Sequence, residues 1–305
     1  MTNDIPRRKD GGIKFSFRPS TEEELKACLS DPLWRICSGA LYKIIIKGDD
    51  DKDGLIMEFK PNRAQKRLIA SLWHRNVILK ARQLGFTTLV CIIWLDTALF
   101  SENVRCGIIA QDREAAEAIF RDKVKFAYQN LPELLRLKMP LARDSASELL
   151  FAHNNSSIRV ATSMRSGTIH RLHVSEFGKI CAKYPDKAVE VITGSIPAVP
   201  LNGILIIEST AEGQEGEFYN ITQRAKALFD AGTELSMRDY RYHFFAWWDE
   251  PKYVMPLGNI KFTDKDVAYF ERIEAQINRQ LTIEQRAWYI ATRDADFSGS
   301  EEKMW

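Results

Sequence analysis

The sequence predicts an α/β fold, a mostly parallel sheet with helices on both faces. Three observations predict it. From Asn76 onward, apolar strand-like runs alternate with amphipathic helical ones, the order that arises when each crossover lays a helix on a sheet face. The nonapeptide Lys80-Ala81-Arg82-Gln83-Leu84-Gly85-Phe86-Thr87-Thr88 separates one such strand from one such helix, the place where a phosphate-binding loop sits. The chain of 305 residues, 45% hydrophobic and 28% charged, suits one large α/β domain with appendages, or two domains.

Taken in order, residues 1 to 20 are polar and rich in Arg, Lys, Gly and Asp, which predicts a mobile arm. Pro19-Ser20-Thr21-Glu22-Glu23-Glu24 reads as a helix start, with Ser20 or Thr21 as cap and the glutamates matching the helix dipole. Leu41 to Ile46 and Leu55 to Phe59 read as two strands. The acidic turn between them, Gly48 to Gly54, is a solvated hairpin tip rather than a calcium loop, because its carboxylates lack EF-hand spacing. These segments make a small N-terminal subdomain, residues 1–58. A core at 59–250 follows, with strands expected at 77–81, 104–109, 157–161, 171–175 and 203–208. Its helices are expected at 87–100, 112–129, 185–193 and 214–230. Glu148 to Ala152 and Ser157 to Ala161 flank His153-Asn154-Asn155-Ser156, a hairpin signal inside that series. Tyr240 to Trp247 makes a late strand ended by Pro251. Residues 251–305 form a C-terminal helical lid or linker, helical from Thr263 to Thr292 and then polar to Trp305, as if cut from something longer. No internal repeat or low-complexity segment is visible.

A formal net charge of +2 does not by itself indicate nucleic-acid binding, so any DNA contact has to come from a local basic patch. Arg121, Lys123 and Lys125 offer one, although a solvated helix face explains them more simply. The longest apolar run, Leu89 to Phe100, is too short for a bilayer and carries Asp96, and the N-terminus has no signal-peptide core. Cys28, Cys37, Cys91, Cys106 and Cys181 are odd in number and scattered, which reads as reduced thiols rather than disulfides or a zinc site.

The loop carries the chemistry. Phosphate loops usually read G-x-x-x-x-G-K-[ST], with backbone N–H groups and the lysine on the phosphates and the hydroxyl on Mg²⁺. Gly85 and Thr87 keep the last glycine and the hydroxyl, but Phe86 stands at the lysine position and Lys80 at the first glycine. An ammonium on a flexible stem acts as a point charge, so Lys80 can reach the β/γ-phosphates from the other side of the loop. A loose Lys…Gly…Thr match means little alone. Here a buried strand, Asn76 to Leu79, precedes it and an apolar helix follows, so the helix N-terminus points at the phosphates.

Further along, Leu172-His173-Val174-Ser175-Glu176 ends a strand on an acid. Ser175 stands where an Asp of the Mg²⁺ shell is expected, able to act only through a metal-bound water, and Glu176 stands where a hydrolytic base is expected. The competing reading of Glu176 is a surface acid. Ser209 and Thr210, ending the strand Ile204 to Glu208, are placed to sense a γ-phosphate, though such a pair is more often only a helix cap. Gln65, in Phe59-Lys60-Pro61-Asn62-Arg63-Ala64-Gln65, offers a donor and an acceptor side by side for an adenine edge.

Together, and in this order, Gln65, the loop from Lys80 to Thr87, Met164-Arg165-Ser166-Gly167, Leu172 to Glu176 and Ser209-Thr210-Ala211 resemble the large terminase subunit of tailed bacteriophages, the DNA-packaging ATPase. The likeness covers its N-terminal ATPase portion, over residues 55 to 260. It implies a P-loop NTPase core of the RecA/ASCE type with ATP and Mg²⁺ as cofactors. Lys80, Gly85 and Thr87 would bind phosphates and metal, with Gln83, Phe86 and Thr88 completing the loop and Arg82 touching phosphate. Glu176 would be the base, Ser209 to Ala211 the coupling motif, and Arg165, or else Arg171, an arginine finger given to a neighbouring subunit. The implied partners are double-stranded DNA, a portal protein, a small terminase subunit and further copies in a ring on the procapsid in the host cytoplasm. The isolated chain would be a monomer, a poor ATPase, and not membrane-bound. After residue 260 nothing has the strand-plus-Asp pattern of the family's nuclease, and Trp247-Trp248-Asp249-Glu250 reads as structural. Phe86 and Ser175 depart from the pattern. They leave open a weakly hydrolysing assembly module, and a helicase-like DNA-dependent ATPase is the other alternative.

Overall fold

A computed structural model describes residues 5–46, 54–165 and 167–299. The tip of the acidic turn (residues 48–53), Ser166 and the last six residues lie outside the described residues. The N-terminal part holds α1 (Glu22–Ser30), α2 (Pro32–Cys37) and the antiparallel pair β1 (Lys43–Ile46) and β2 (Leu55–Glu58). Thr21 caps α1 in a capping box with Glu24, as the Ser-Thr-Glu run predicts. The expected arm is different over its described part. Arg8 pairs with Asp31 at 3.0 Å, the Ile13 N–H donates to the same carboxylate at 2.7 Å, and Ile13 is buried. Asp31, also the N-cap of α2, ties that segment down.

The remaining elements are α3 (Arg63–Ala70), β3 (Arg75–Lys80), α4 (Phe86–Phe100), β4 (Arg105–Ile109), α5 (Arg113–Ile119), α6 (Phe126–Gln129), α7 (Glu133–Lys138), β5 (Leu141–Asp144), β6 (Glu148–Phe151), β7 (Ser157–Ala161), β8 (Arg171–Ser175), α8 (Phe177–Lys183), α9 (Pro185–Glu190), β9 (Ile204–Ser209), α10 (Gly216–Asp230), β10 (Tyr240–Phe245), α11 (Asp264–Ile277) and α12 (Ile283–Asp296). A π-helical stretch, Phe120–Lys125, joins α5 to α6, and a second, Val191–Ser195, extends α9. The single helix expected over 263–292 is two. Asn278 ends α11 in the left-handed region (φ 49°), and Thr282 with Gln285 caps α12 anew, a break that side-chain capping imposes on an otherwise continuous periodicity.

The eight-stranded sheet runs β10-β3-β9-β8-β4-β7-β6-β5. It is parallel from β10 to β7, and the hairpin partner β6 and then β5 add antiparallel strands at one edge. The decisive feature is β9, which lies between the loop strand β3 and the strand β8 that leads to Glu176. Alternation along the strands separates two cores. Val77, Leu172, Val174, Leu205 and Ile207 face α8, α9 and α10, whereas Ile78 and Ile206 face α4. By the same period of two, Lys80, His173, Ser175 and Glu208 also face α4. That helix is apolar nearly all round because it is covered twice, by the sheet and by the N-terminal helices; Leu89, Val90, Ile92, Trp94 and Leu95 are fully buried. Each such aliphatic side chain contributes about 1.5–3 kcal/mol. The α4 core runs on without a break from Ile13 and Trp34 to Phe270, Tyr289 and Ile290. The N-terminal, central and C-terminal segments distinguished in the sequence share it.

Candidate nucleotide site

Parallel α/β sheets bind ligands beyond the carboxyl ends of their strands, and here the ends of β3, β9 and β8 place an ionic cluster there. Lys80, the last residue of β3, is 7% exposed at its side chain. Its Nζ lies 3.0 Å from Glu176 Oε1 and 3.1 Å from Glu208 Oε2. Burial alone would lower the lysine pKa, but the two carboxylates outweigh it and raise it. Glu208 is wholly buried. Its Oε1 accepts hydrogen bonds from Thr87 Oγ1 at 2.8 Å and Ser175 Oγ at 3.0 Å, and His173 Nε2 lies 3.3 Å away. Burial works to raise the Glu208 pKa. The charge of Lys80, the His173 contact and the Thr87 hydroxyl instead hold it far below the usual carboxylate range.

The loop turns beside this cluster. Gln83 (φ 56°) and Gly85 (φ 74°) are both left-handed, turning the chain into α4. Glycine suits the left-handed position 85, and a Cβ there would fall 2.8 Å from Gln65 Nε2 and displace that carboxamide. No side chain caps the first turn of α4, so its N–H groups and positive dipole end are open to a phosphate. Glu176 takes the left-handed conformation (φ 53°) between β8 and α8. For a residue with a Cβ this costs free energy, and it swings the carboxylate toward Lys80. Gly178 lets α8 pack flush on the end of β9: a Cβ would sit 2.8 Å from Ser209 Oγ and 3.1 Å from Thr210 O. Ser209 Oγ then reaches Glu176 Oε2 at 3.5 Å, and Lys179 Nζ stands 4.0 Å from the same oxygen.

Beside the loop opens a cleft of about 470 Å³ lined by Asn62, Arg82, Gln83, Tyr253, Trp288 and Phe297 among others. Tyr253 and Trp288 stack with ring centroids 4.1 Å apart, Arg82 lies over the Phe297 ring, and the Tyr253 hydroxyl donates to the Arg82 carbonyl. The C-terminal helix α12 therefore forms a wall next to the loop.

No protein-family profile matches the chain, and no curated protein does. Among solved structures, the large terminase of bacteriophage HK97 aligns over 87% of this chain and 52% of its own, at 15% identity and a TM-score of 0.52. The chain shares its fold with that large terminase. The chain spans about half the length of the HK97 protein. The Thermus phage P74-26 large terminase ATPase domain aligns over 63% of this chain and 83% of its own, at 18% identity and a TM-score of 0.46. A DEAD box protein from Methanococcus jannaschii aligns over 72% and 58%, at 13% identity and a TM-score of 0.37. At 15% identity the likeness to the HK97 protein is one of fold alone.

On this terminase-type fold Lys80, Thr87, Ser175, Glu176 and Ser209 converge, while Gly85 and Thr88 stand at the start of α4 beside them. Other expected residues stand differently. Phe86 is 1% exposed and packs on Phe245 at 4.5 Å, so its main-chain N–H is all it can offer a phosphate. Gln65 turns its carboxamide on the chain: Nε2 donates to Gly85 O at 2.7 Å and Oε1 accepts from Asn62 N at 2.9 Å. It braces the loop instead of facing an open base site. Thr210 Oγ1 meets Glu212 at 3.4 Å. Arg165 follows the carboxyl end of β7, has a side chain 67% exposed and pairs with Glu190 at 2.6 Å. Arg171 begins β8, at the opposite end of the strand from Ser175, and is half-buried. Arg121, largely exposed, pairs with Asp122, and Lys125, with a side chain only 22% exposed, pairs with Asp144 of β5.

Sequence reasoning missed Glu208, Tyr253 and Trp288. Glu208 was visible as a lone acid after four apolar residues in a strand covered on both faces, where a charge requires a partner. The oxygen set of Thr87, Ser175 and Glu208 is hard and compact, the donor chemistry that suits Mg²⁺. Among the described residues no group of three or more His, Cys, Asp and Glu side chains could hold a metal ion. Mg²⁺ commonly dispenses with such a cage, taking a few protein oxygens together with substrate phosphates and water.

Proposed function

We propose that this chain is the ATP-hydrolysing motor domain of a viral large terminase, driving double-stranded DNA into a procapsid. One observation carries the reading. The displaced lysine, Lys80, enters the loop from its start and lies 3.0 Å from Glu176, beneath an uncapped helix N-terminus. The ammonium thus stands where phosphate charge would be neutralised, next to an acid placed to take a proton from water.

In this reading the triphosphate lies on the N–H groups of Gly85, Phe86, Thr87 and Thr88, and the base enters the cleft between Gln83 and the Tyr253–Trp288 stack. Lys80 leaves its carboxylates for the phosphate oxygens, which frees Glu176 to accept the proton of the attacking water as the bond from the γ-phosphorus to the ADP oxygen breaks. Mg²⁺, held through Thr87, with Ser175 through water, would offset phosphate charge. Ser209, bonded to Glu176, transmits the change at the γ-phosphate toward Thr210 and Ala211. Arg165, exposed on the same edge of the sheet, serves as the finger toward the next copy in a ring, so hydrolysis depends on assembly with DNA, portal protein and small subunit. DNA is gripped by its phosphates, which lets a packaging motor ignore sequence.

The test is ATP turnover with DNA and portal protein present. Glu176→Ala should lower turnover by about 10²–10⁴-fold while nucleotide still binds, and Lys80→Ala should weaken both. Unchanged turnover in the two variants overturns the motor reading. Nucleotide binding without turnover in the unaltered chain favours an assembly module, which Ser175 would explain.

A further inference from the structure

We propose that Glu208 is the acidic residue of this chain's divalent-cation site, supplying from the neighbouring strand the carboxylate that Ser175 lacks, with Lys80 as its placeholder cation. This rests on the nucleotide-hydrolysing reading above. Sheet register is the first ground. Ser175 and Glu208 are direct partners in the β8–β9 ladder, and Glu208 is in turn the partner of Ile78 in the β9–β3 ladder. Partnered side chains share a face, and adjacent strands lie about 4.8 Å apart. A glutamate is one methylene longer than an aspartate, so from β9 it can lean across toward Ser175. It does so: its Oε1 lies within 3.0 Å of both the Ser175 and the Thr87 hydroxyls.

Charge is the second ground. Lys80 faces two carboxylates. Lys179 stands only at the rim of one of them, Glu176, at 4.0 Å. When Lys80 turns to a phosphate, wholly buried Glu208 keeps His173 Nε2 at 3.3 Å from its Oε1 but loses the ammonium at its Oε2, and a buried carboxylate oxygen that loses its cation is costly. A cation arriving with the nucleotide takes over that charge, and the Thr87 and Ser175 hydroxyls that now donate to Glu208 can turn their lone pairs to it. Entry of the metal and release of the lysine are then one exchange. A purely structural Lys80–Glu208 pair would instead have no use for a Mg-nucleotide.

The experiment measures binding of a non-hydrolysable ATP analogue by calorimetry, with Mg²⁺ or with EDTA, and of Mn²⁺ with the analogue by EPR. In Glu208→Gln, close in size and without charge, Mn²⁺ affinity should fall by about 10–100-fold and the advantage of Mg²⁺ over EDTA should vanish, while binding in EDTA persists. Ser175→Asp added to Glu208→Gln moves the carboxylate back one strand and should restore both readouts. Should the single variant fail to fold, the double variant decides alone by keeping or lacking Mg²⁺ dependence. Retention of full Mg²⁺ dependence in Glu208→Gln, or no recovery in the double variant, overturns the proposal while leaving the nucleotide reading standing. No binding by the unaltered chain in either condition would overturn that reading, and this one with it.

Discussion

Helix α4 carries a buried ionic cluster at each end, and the two are built on opposite principles. Near its carboxyl end Asp96 receives a two-pronged contact from Arg35, Nε at 2.8 Å and Nη2 at 2.7 Å, and a third hydrogen bond from Tyr42 at 2.7 Å. Arg35 is further held by the Leu29 carbonyl at 2.5 Å and by the Phe100 ring. One cation meets one anion with their donors and acceptors engaged, which is how buried charge becomes a fixed joint between subdomain and core. Near the amino end one ammonium meets two carboxylates, and the helix N-terminus beside them is uncapped. The first cluster is complete as it stands. The second is arranged for rearrangement, with a flexible lysine in place of a forked arginine.

The sharpest way to break this comparison is to cut the complete joint. Asp96→Ala or Arg35→Ala should cost about 3–5 kcal/mol in urea unfolding, because each leaves its partner charged and buried, yet ATP affinity of the folded fraction should not move. A loss of affinity without a loss of stability would show the two ends to be coupled rather than contrasted. A smaller effect is expected from a double-mutant cycle of Lys80→Met and Glu208→Gln, with a coupling of about 0.5–3 kcal/mol that shrinks once Mg-nucleotide is bound. Coupling of the same size in both states would make the amino-end cluster as fixed as the other.

Acid distinguishes the clusters by sign. Burial outweighs Arg35 and Tyr42 and raises the Asp96 pKa, so the folded state takes up a proton there before the unfolded state does. Stability at that end rises as pH falls through the raised value toward the ordinary one. Despite its burial Glu208 is held low by Lys80, His173 and Thr87, so its contribution is present above the ordinary Glu value and is lost as pH falls through the depressed one. Stability-against-pH curves for Asp96→Asn and Glu208→Gln should deviate from the unaltered protein in opposite directions below neutrality; parallel curves would refute the assignment. His243 adds a background term. Burial, with Arg241 and Arg67 nearby, lowers it to about 4, so all variants should weaken alike as pH drops from the ordinary His value toward that point. The smallest effect, about 1 kcal/mol, is expected for Thr21→Ala, which removes the α1 cap and touches neither cluster. Any change in nucleotide affinity there would mean that the N-terminal helices act on the site as a whole.

Much of the fold was legible because each parallel strand announces itself locally. The runs at Val77, Cys106 and Leu205 are apolar on both faces, as strands covered on both sides must be, while those at Ile158 and Leu172 alternate apolar residues with polar ones. Less was legible where local chemistry competes. The segments α7 and β5, carrying Leu134 and Leu137 exposed, follow no clear period, and α8 is hidden by the single left-handed residue Glu176 that starts it. At the site, Lys80, Thr87 and Glu176 could be picked out because each ends or begins an element and departs from or matches a known loop chemistry. Phe86 could not be assigned a side-chain role, since only its packing on Phe245 shows that it serves the core.

By itself the sequence determined the strand, loop and helix that put Lys80 and Thr87 around a phosphate-sized turn, because periodicity and turn chemistry act between near neighbours. The tertiary structure alone decided that β9 lies between β3 and β8, and so that Glu208, 121 residues from Thr87 and 33 from Ser175, completes the cluster. Ladder register is a property of paired strands, and no local stretch of sequence carries it.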